Sequence, residues 1–111
     1  MGSKVADVNA RMTALARKFV ERTGTELAQM RAAQALLEAG DRSGLSEIHQ
    51  WAHRACGTGG TLGLLGLSDA AGDLERRIEA CAADGIPDTA ERAQIAAGID
   101  VIAAQLAMLQ D

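Results

Sequence analysis

From Val5 onward, apolar side chains recur at steps of three and four. Val5, Val8, Met12, Leu15 and Phe19 line one face of a helix. Thr23-Gly24-Thr25 interrupts the stripe, and Leu27, Met30, Ala33 and Leu37 resume it up to Gly40, which is placed as a C′ glycine. The resumed segment is a second helix, kinked from the first or continuous with it. Asp41-Arg42-Ser43-Gly44 then reads as a turn whose Ser43 caps a helix carrying Leu45, Ile48, Ala52, Ala55 and Leu62. After a glycine-rich run near Gly57 to Gly66, Ser68 is expected to cap another helix. Its stripe is Leu67, Ala71, Leu74, Ile78 and Cys81, with a stop at Asp84-Gly85. Asp88 followed by Glu91 has the form of a capping box, and Ile95, Ile99, Ile102, Leu106 and Leu109 follow with heptad character.

Short connections between amphipathic helices of similar length favour antiparallel neighbours. The expected fold is therefore all-α: an up-down antiparallel four-helix bundle with a short extra N-terminal helix. Residues 1–111 form one domain, with residues 1–4 as a disordered start. Composition agrees. Of 111 residues, 48% are hydrophobic and only 2% aromatic, and the single proline leaves most of the chain free to run as helix.

A net charge of -4 lacks the basic face that nucleic-acid binding requires. Phe19 and Trp51 alone offer no stacking platform for bases. No run approaches the roughly 18 apolar residues of a membrane span, and Met1-Gly2-Ser3-Lys4 has no apolar leader, so a cytoplasmic protein with no membrane partner is expected. Cys56 and Cys81 are too few for a disulfide framework and are read as reduced, partly buried thiols.

The chemistry lies in the segment from His49 to Leu64. Projected at about 100° per residue, His53 points roughly 140° from the middle of the apolar sector, so its ring should be exposed. Ser46, Gln50, Gly57 and Gly60 fall on the same side, all small or polar. Glycine inside a helix costs about 0.5–1 kcal/mol relative to alanine. Gly57, Gly59 and Gly60 in a row therefore serve close approach of a partner to the imidazole, or else Gly59 and Gly63 merely permit tight helix packing, or the helix ends at Gly57.

The run Ala52-His53-Arg54-Ala55-Cys56-Gly57-Thr58-Gly59-Gly60-Thr61-Leu62-Gly63 resembles the signature of histidine phosphotransfer (HPt) domains. In that family an Ala-His pair is followed by Leu-Lys-Gly, small residues and a later Leu-Gly. Leu67, Ala71 and Leu74-Glu75 match the family's next helix. Two positions depart: Ala55 stands for the usual Leu, and Cys56 for the usual Lys beside the phosphoryl oxygens. Arg54, Arg76, Arg77 or the partner's own cation are the alternatives for offsetting phosphate charge.

The resemblance implies a phosphocarrier without ATP-dependent autokinase activity. His53 would be the phosphoacceptor and Glu75 the group that orients its imidazole. Gln50, Arg54, Cys56, Gly57, Gly60, Thr61 and Leu64 would form the docking surface. The implied partners are the receiver domains of a hybrid histidine kinase and of a response regulator, with the chain itself a monomer. No cofactor is expected on this chain, the receiver supplying Mg²⁺.

Three other readings stand beside this one. His49, His53 and Cys56 at i, i+4 and i+7 share a face that can hold a metal, although a fourth ligand is missing. The stripe from Ile95 to Leu109 can serve as a dimer seam. Gly57 to Gly63 superficially suggests a phosphate-binding loop, but it lacks both the preceding strand and the Gly-Lys-Ser/Thr ending.

Overall fold

The five apolar stripes become four helices among the described residues, the first two merging into one. The structure is a computed structural model that describes residues 3–81 and 85–110. The helices are α1 (Ser3–Glu38), α2 (Ser43–Thr61), α3 (Leu65–Glu79) and α4 (Thr89–Leu109). They form a closed ring of contacts: α1 packs on α2 and α4, and α3 packs on the same two. Ile48, Trp51 and Ala52 of α2 meet Leu67, Ala71 and Leu74 of α3, Ile95, Ile99 and Ile102 of α4, and Ala33 and Leu37 of α1 in one core.

There is no separate lead-in helix. Thr23-Gly24-Thr25 does not break α1, because both threonine hydroxyls turn back and donate to carbonyls of their own helix. Thr23 Oγ1 bonds Phe19 O at 2.8 Å, and Thr25 Oγ1 bonds Arg22 O at 2.8 Å. Helix begins at Ser3, so Ser3 and Lys4 of the expected disordered start are helical; residues 1 and 2 lie outside the described residues. The stripe of α1 also splits in function. Val20, Met30, Ala33 and Leu37 are buried, whereas Val5, Val8, Met12 and Leu15 project beyond the rest of the fold and are exposed.

α1 ends at the expected glycine, α2 runs through Gly57 to end before Gly63, and two helices begin differently. Gly40 (φ 87°) and Gly63 (φ 78°) occupy the left-handed region that closes a Schellman turn. Asp41 N–H donates to Leu36 O and Gly40 N–H to Leu37 O, and the same pattern recurs from Leu64 to Gly59 and from Gly63 to Gly60. Ser43 does not cap α2. Its own N–H and hydroxyl donate to the Asp41 carboxylate, the hydroxyl being the larger cause, and hold that carboxyl below the usual carboxylate range. Ser68 does not cap α3 either, because α3 already starts at Leu65. That helix stops at Glu79, before Cys81, and the expected stop at Asp84 lies outside the described residues. Burial is the first cause, ahead of the nearby Glu91 carboxylate, pushing the Cys81 thiol up.

The capping box before α4 is complete. Asp88 accepts from Glu91 N–H at 2.8 Å, and Glu91 accepts from Asp88 N–H at 2.9 Å. By length and composition α4 is long and apolar enough to cross a membrane. Its Ile95, Ile99, Ile102 and Leu106 nevertheless lie inside the core, so most of the proposed dimer seam is occupied within the chain; Leu109 alone of that stripe is exposed.

The two kinds of apolar position should respond differently to truncation. Ile99→Ala, at a fully buried site, is expected to cost about 2–5 kcal/mol in urea denaturation. Leu15→Ala should stay within about 0.5 kcal/mol of the parent. Equal losses would mean that the projecting part of α1 is packed in solution.

Candidate functional site

The site sits where α2 and α3 come close together. A Cβ on Gly60 would stand 3.2 Å from Ser68 Oγ, and one on Gly72 would stand 3.2 Å from Cys56 Sγ. A Cβ on Gly59, which is buried, would meet the Ser68 backbone at 3.6 Å. Small residues thus occupy both sides of the seam, and Ser68 fastens it by donating to Cys56 O at 2.8 Å. Gly57 differs: it is exposed, and nothing lies within 4 Å of where its Cβ would be. The glycines therefore divide between the two roles considered for them. Gly59 and Gly60 face α3, and Gly57 leaves open ground.

One turn before Gly57, His53 projects from α2 with 71% of its side chain exposed. Its Nδ1 lies 2.5 Å from Glu75 Oε2 on α3, a carboxylate whose side chain is only 16% exposed. An ionised carboxylate only accepts, so this contact puts the ring proton on Nδ1 and the lone pair on Nε2. Among the described residues Nε2 has no partner. The expected pairing of His53 with Glu75 is thus present as geometry.

His49, one turn earlier, stacks on His53 with ring centroids 6.4 Å apart and planes 12° from parallel. Its Nε2 is 3.4 Å from Glu79 Oε2 and 4.0 Å from Glu75 Oε2. Sequence reasoning missed Glu79. The available signal was the matching four-residue spacing of His49/His53 and Glu75/Glu79. A shallow recess is lined by His49, Gln50, His53, Arg54, Glu75 and Glu79.

The remaining predicted positions are placed unevenly around this recess. Gln50 is exposed, and its Nε2 donates to Ser46 Oγ at 3.4 Å. Arg54 is exposed and pairs with Glu26 of α1 at 3.5 Å. Thr61 is exposed, and its hydroxyl donates to Gly57 O at 3.1 Å. Leu64 is half-buried against the core at the α2–α3 junction, and the Cys56 thiol also turns inward toward Ser68. Of the three candidate cations, Arg54 lines the recess. Arg76 pairs with Asp73 at 2.5 Å, and with Arg77 it lines a different hollow, between α3 and α4. Cys56 is not gathered with the two histidines as a metal-ligand set. The group whose donor atoms converge is His49, Glu75 and Glu79.

The chain matches no family model, no curated protein and no solved structure.

If Glu75 fixes the ring, ¹⁵N NMR of His53 should show mainly the Nδ1–H tautomer in the parent and lose that preference in Glu75→Ala. An unchanged tautomer balance would remove the orienting role.

Proposed function

We propose that the protein is a histidine phosphotransfer protein that carries a phosphoryl group on His53 between receiver domains of a two-component phosphorelay. One observation carries the reading: an exposed imidazole whose Nδ1 is tied to a half-buried carboxylate while Nε2 is left free. The resemblance of Ala52 to Glu75 to the HPt signature supports it, and so does the open ground at Gly57. The ring of helix contacts and the short connections support an up-down antiparallel order for the four helices.

In the transfer, the Nε2 lone pair attacks phosphorus of an aspartyl phosphate in line with the leaving carboxylate oxygen. The N–P bond forms as the P–O bond breaks, and the carboxylate leaves with the bonding electrons. The ring becomes a phospho-imidazolium that retains its Nδ1 proton, and Glu75 faces the new positive charge. Nothing else on the chain has to move a proton. The reverse sequence returns the group to an aspartate of the next receiver. Mg²⁺ held by the receiver supplies charge neutralisation at the phosphoryl oxygens.

This chemistry asks the carrier for exposure and orientation, which a small helical protein can supply. The reading assigns no autokinase activity, a cytoplasmic location and transient docking of a monomer around Gln50, Arg54, Gly57 and Thr61. Leu64 and Cys56 support that surface from beneath.

A labelled phospho-receiver should transfer its label to the parent and to His49→Gln but not to His53→Gln, as read by acid-labile incorporation. Label on His53→Gln at the parent level would end the proposal. Gly57→Leu should keep the far-UV circular dichroism and thermal midpoint of the fold while slowing transfer, because the added side chain enters the ground the partner needs. Transfer at the parent rate would show that the open face is not a docking surface.

A further inference from the structure

Beside the phosphoacceptor lies a set of donors of which the phosphotransfer reading uses only Glu75. His49 of α2 and Glu75 and Glu79 of α3 each offer one ligating atom, and all of these atoms lie within 4.8 Å of one another. Two donors bound to one ion at about 2.1 Å stand about 3.4 Å apart in a tetrahedral site. His49 Nε2 and Glu79 Oε2 are already 3.4 Å apart, and His49 Nε2 and Glu75 Oε2 are 4.0 Å apart. The second distance is about 0.6 Å beyond the tetrahedral value, a gap on the scale of side-chain torsional adjustment.

We infer that His49, Glu75 and Glu79 form a binding site for a first-row divalent cation of the zinc class. The donor set favours that class. Mg²⁺ and Ca²⁺ take oxygen ligands, whereas a neutral imidazole nitrogen suits zinc and its neighbours. Two carboxylates match the charge of a divalent ion, and the ion pairs that Glu75 and Glu79 make are with histidine. Three protein ligands leave a position for water, as in open zinc sites. Helical geometry holds the set, since Glu75 and Glu79 are one turn apart on the face of α3 that looks at His49.

The site shares an atom with His53. Glu75 Oε2 is both the acceptor for His53 Nδ1–H and the oxygen nearest His49 Nε2. A cation that takes this oxygen draws on the electron density that His53 Nδ1–H is bonded to, and so weakens the hold on the His53 ring. Resting on the phosphotransfer reading, the bound cation therefore acts as a brake on phosphorylation of His53.

Calorimetric titration of the full chain with zinc chloride alone tests the site. One zinc ion per chain is expected, with affinity lowered at least about tenfold in His49→Gln and in Glu79→Gln, since even an outer partner's loss costs that much. Binding should persist in His53→Gln, and magnesium chloride should give no comparable heat. Absence of saturable zinc binding overturns the inference. So does binding that survives His49→Gln but not His53→Gln, or magnesium bound as tightly as zinc. All of these substitutions are at partly or fully exposed positions, and circular dichroism checks each fold. The titration contains no phosphoryl donor, so its result is independent of the labelling experiment. In that second assay, zinc should slow labelling of the parent and not of Glu79→Gln; equal slowing of both would sink the braking role.

Discussion

Everything at the site depends on how close α2 and α3 can come. A helix pair separated by ordinary aliphatic side chains sits about 8–10 Å apart between axes, set by the residues at the contact. Here the contact is made by Cys56, Gly59 and Gly60 on one side and Ser68 and Gly72 on the other, with the Ser68 hydroxyl bonded to a carbonyl of α2. That closeness brings a short carboxylate side chain on α3 within hydrogen-bond reach of an imidazole on α2. Larger residues at the seam would push the helices apart and leave His53 without its acceptor. The glycines weaken the last turns of α2 by about 0.5–1 kcal/mol each relative to alanine, and the arrangement of the imidazole offsets that loss in function, not in stability.

A second consequence concerns the direction in which His53 is held. Trp51 and Ala52, immediately before it, are buried, and Ala55 two residues later is buried as well. Buried neighbours on both sides of His53 fix the rotation of α2, so the imidazole is carried outward by the helix as a whole. The core therefore sets the orientation of the ring's attachment, and Glu75 sets the rotation of the ring about it. Two independent constraints on one side chain give the preorganisation that an in-line transfer requires.

The parts legible in the sequence were those governed by local rules. Helical periodicity located all four helices, Gly40 marked the end of α1, Asp88 and Glu91 declared their capping box, and the projection of α2 put His53 outside. The parts that escaped depended on what the chain meets elsewhere. Thr23-Gly24-Thr25 reads as a break by propensity, yet hydroxyl-to-carbonyl bonds and burial of Thr23 carry the helix through it. Ser43 and Ser68 have the composition of caps. The start of α2 is instead fixed by Asp41, and Ser68 is used across the seam. The role of Glu79 required knowing which face of α3 looks at His49, a rotation that the packing of Leu67, Ala71 and Leu74 determines.

Cys56, where the signature that the segment resembles has lysine, bears on both properties proposed for this recess. A lysine ammonium on this side of α2 would add a positive charge to the α2–α3 seam and disfavour a divalent cation nearby. The thiol turns toward Ser68 instead and adds no charge to the recess. The guanidinium left in the lining belongs to Arg54, and it is drawn toward Glu26. The lining is therefore richer in carboxylate than in cation, which favours a metal ion and disfavours a free phosphate. Under the proposed phosphotransfer reading, the phosphoryl group would reach His53 by covalent transfer, with its charge neutralised by the donor's metal ion. On the two proposals together, the thiol at position 56 would leave phosphate neutralisation to the partner and leave the carboxylates of Glu75 and Glu79 to a cation of their own.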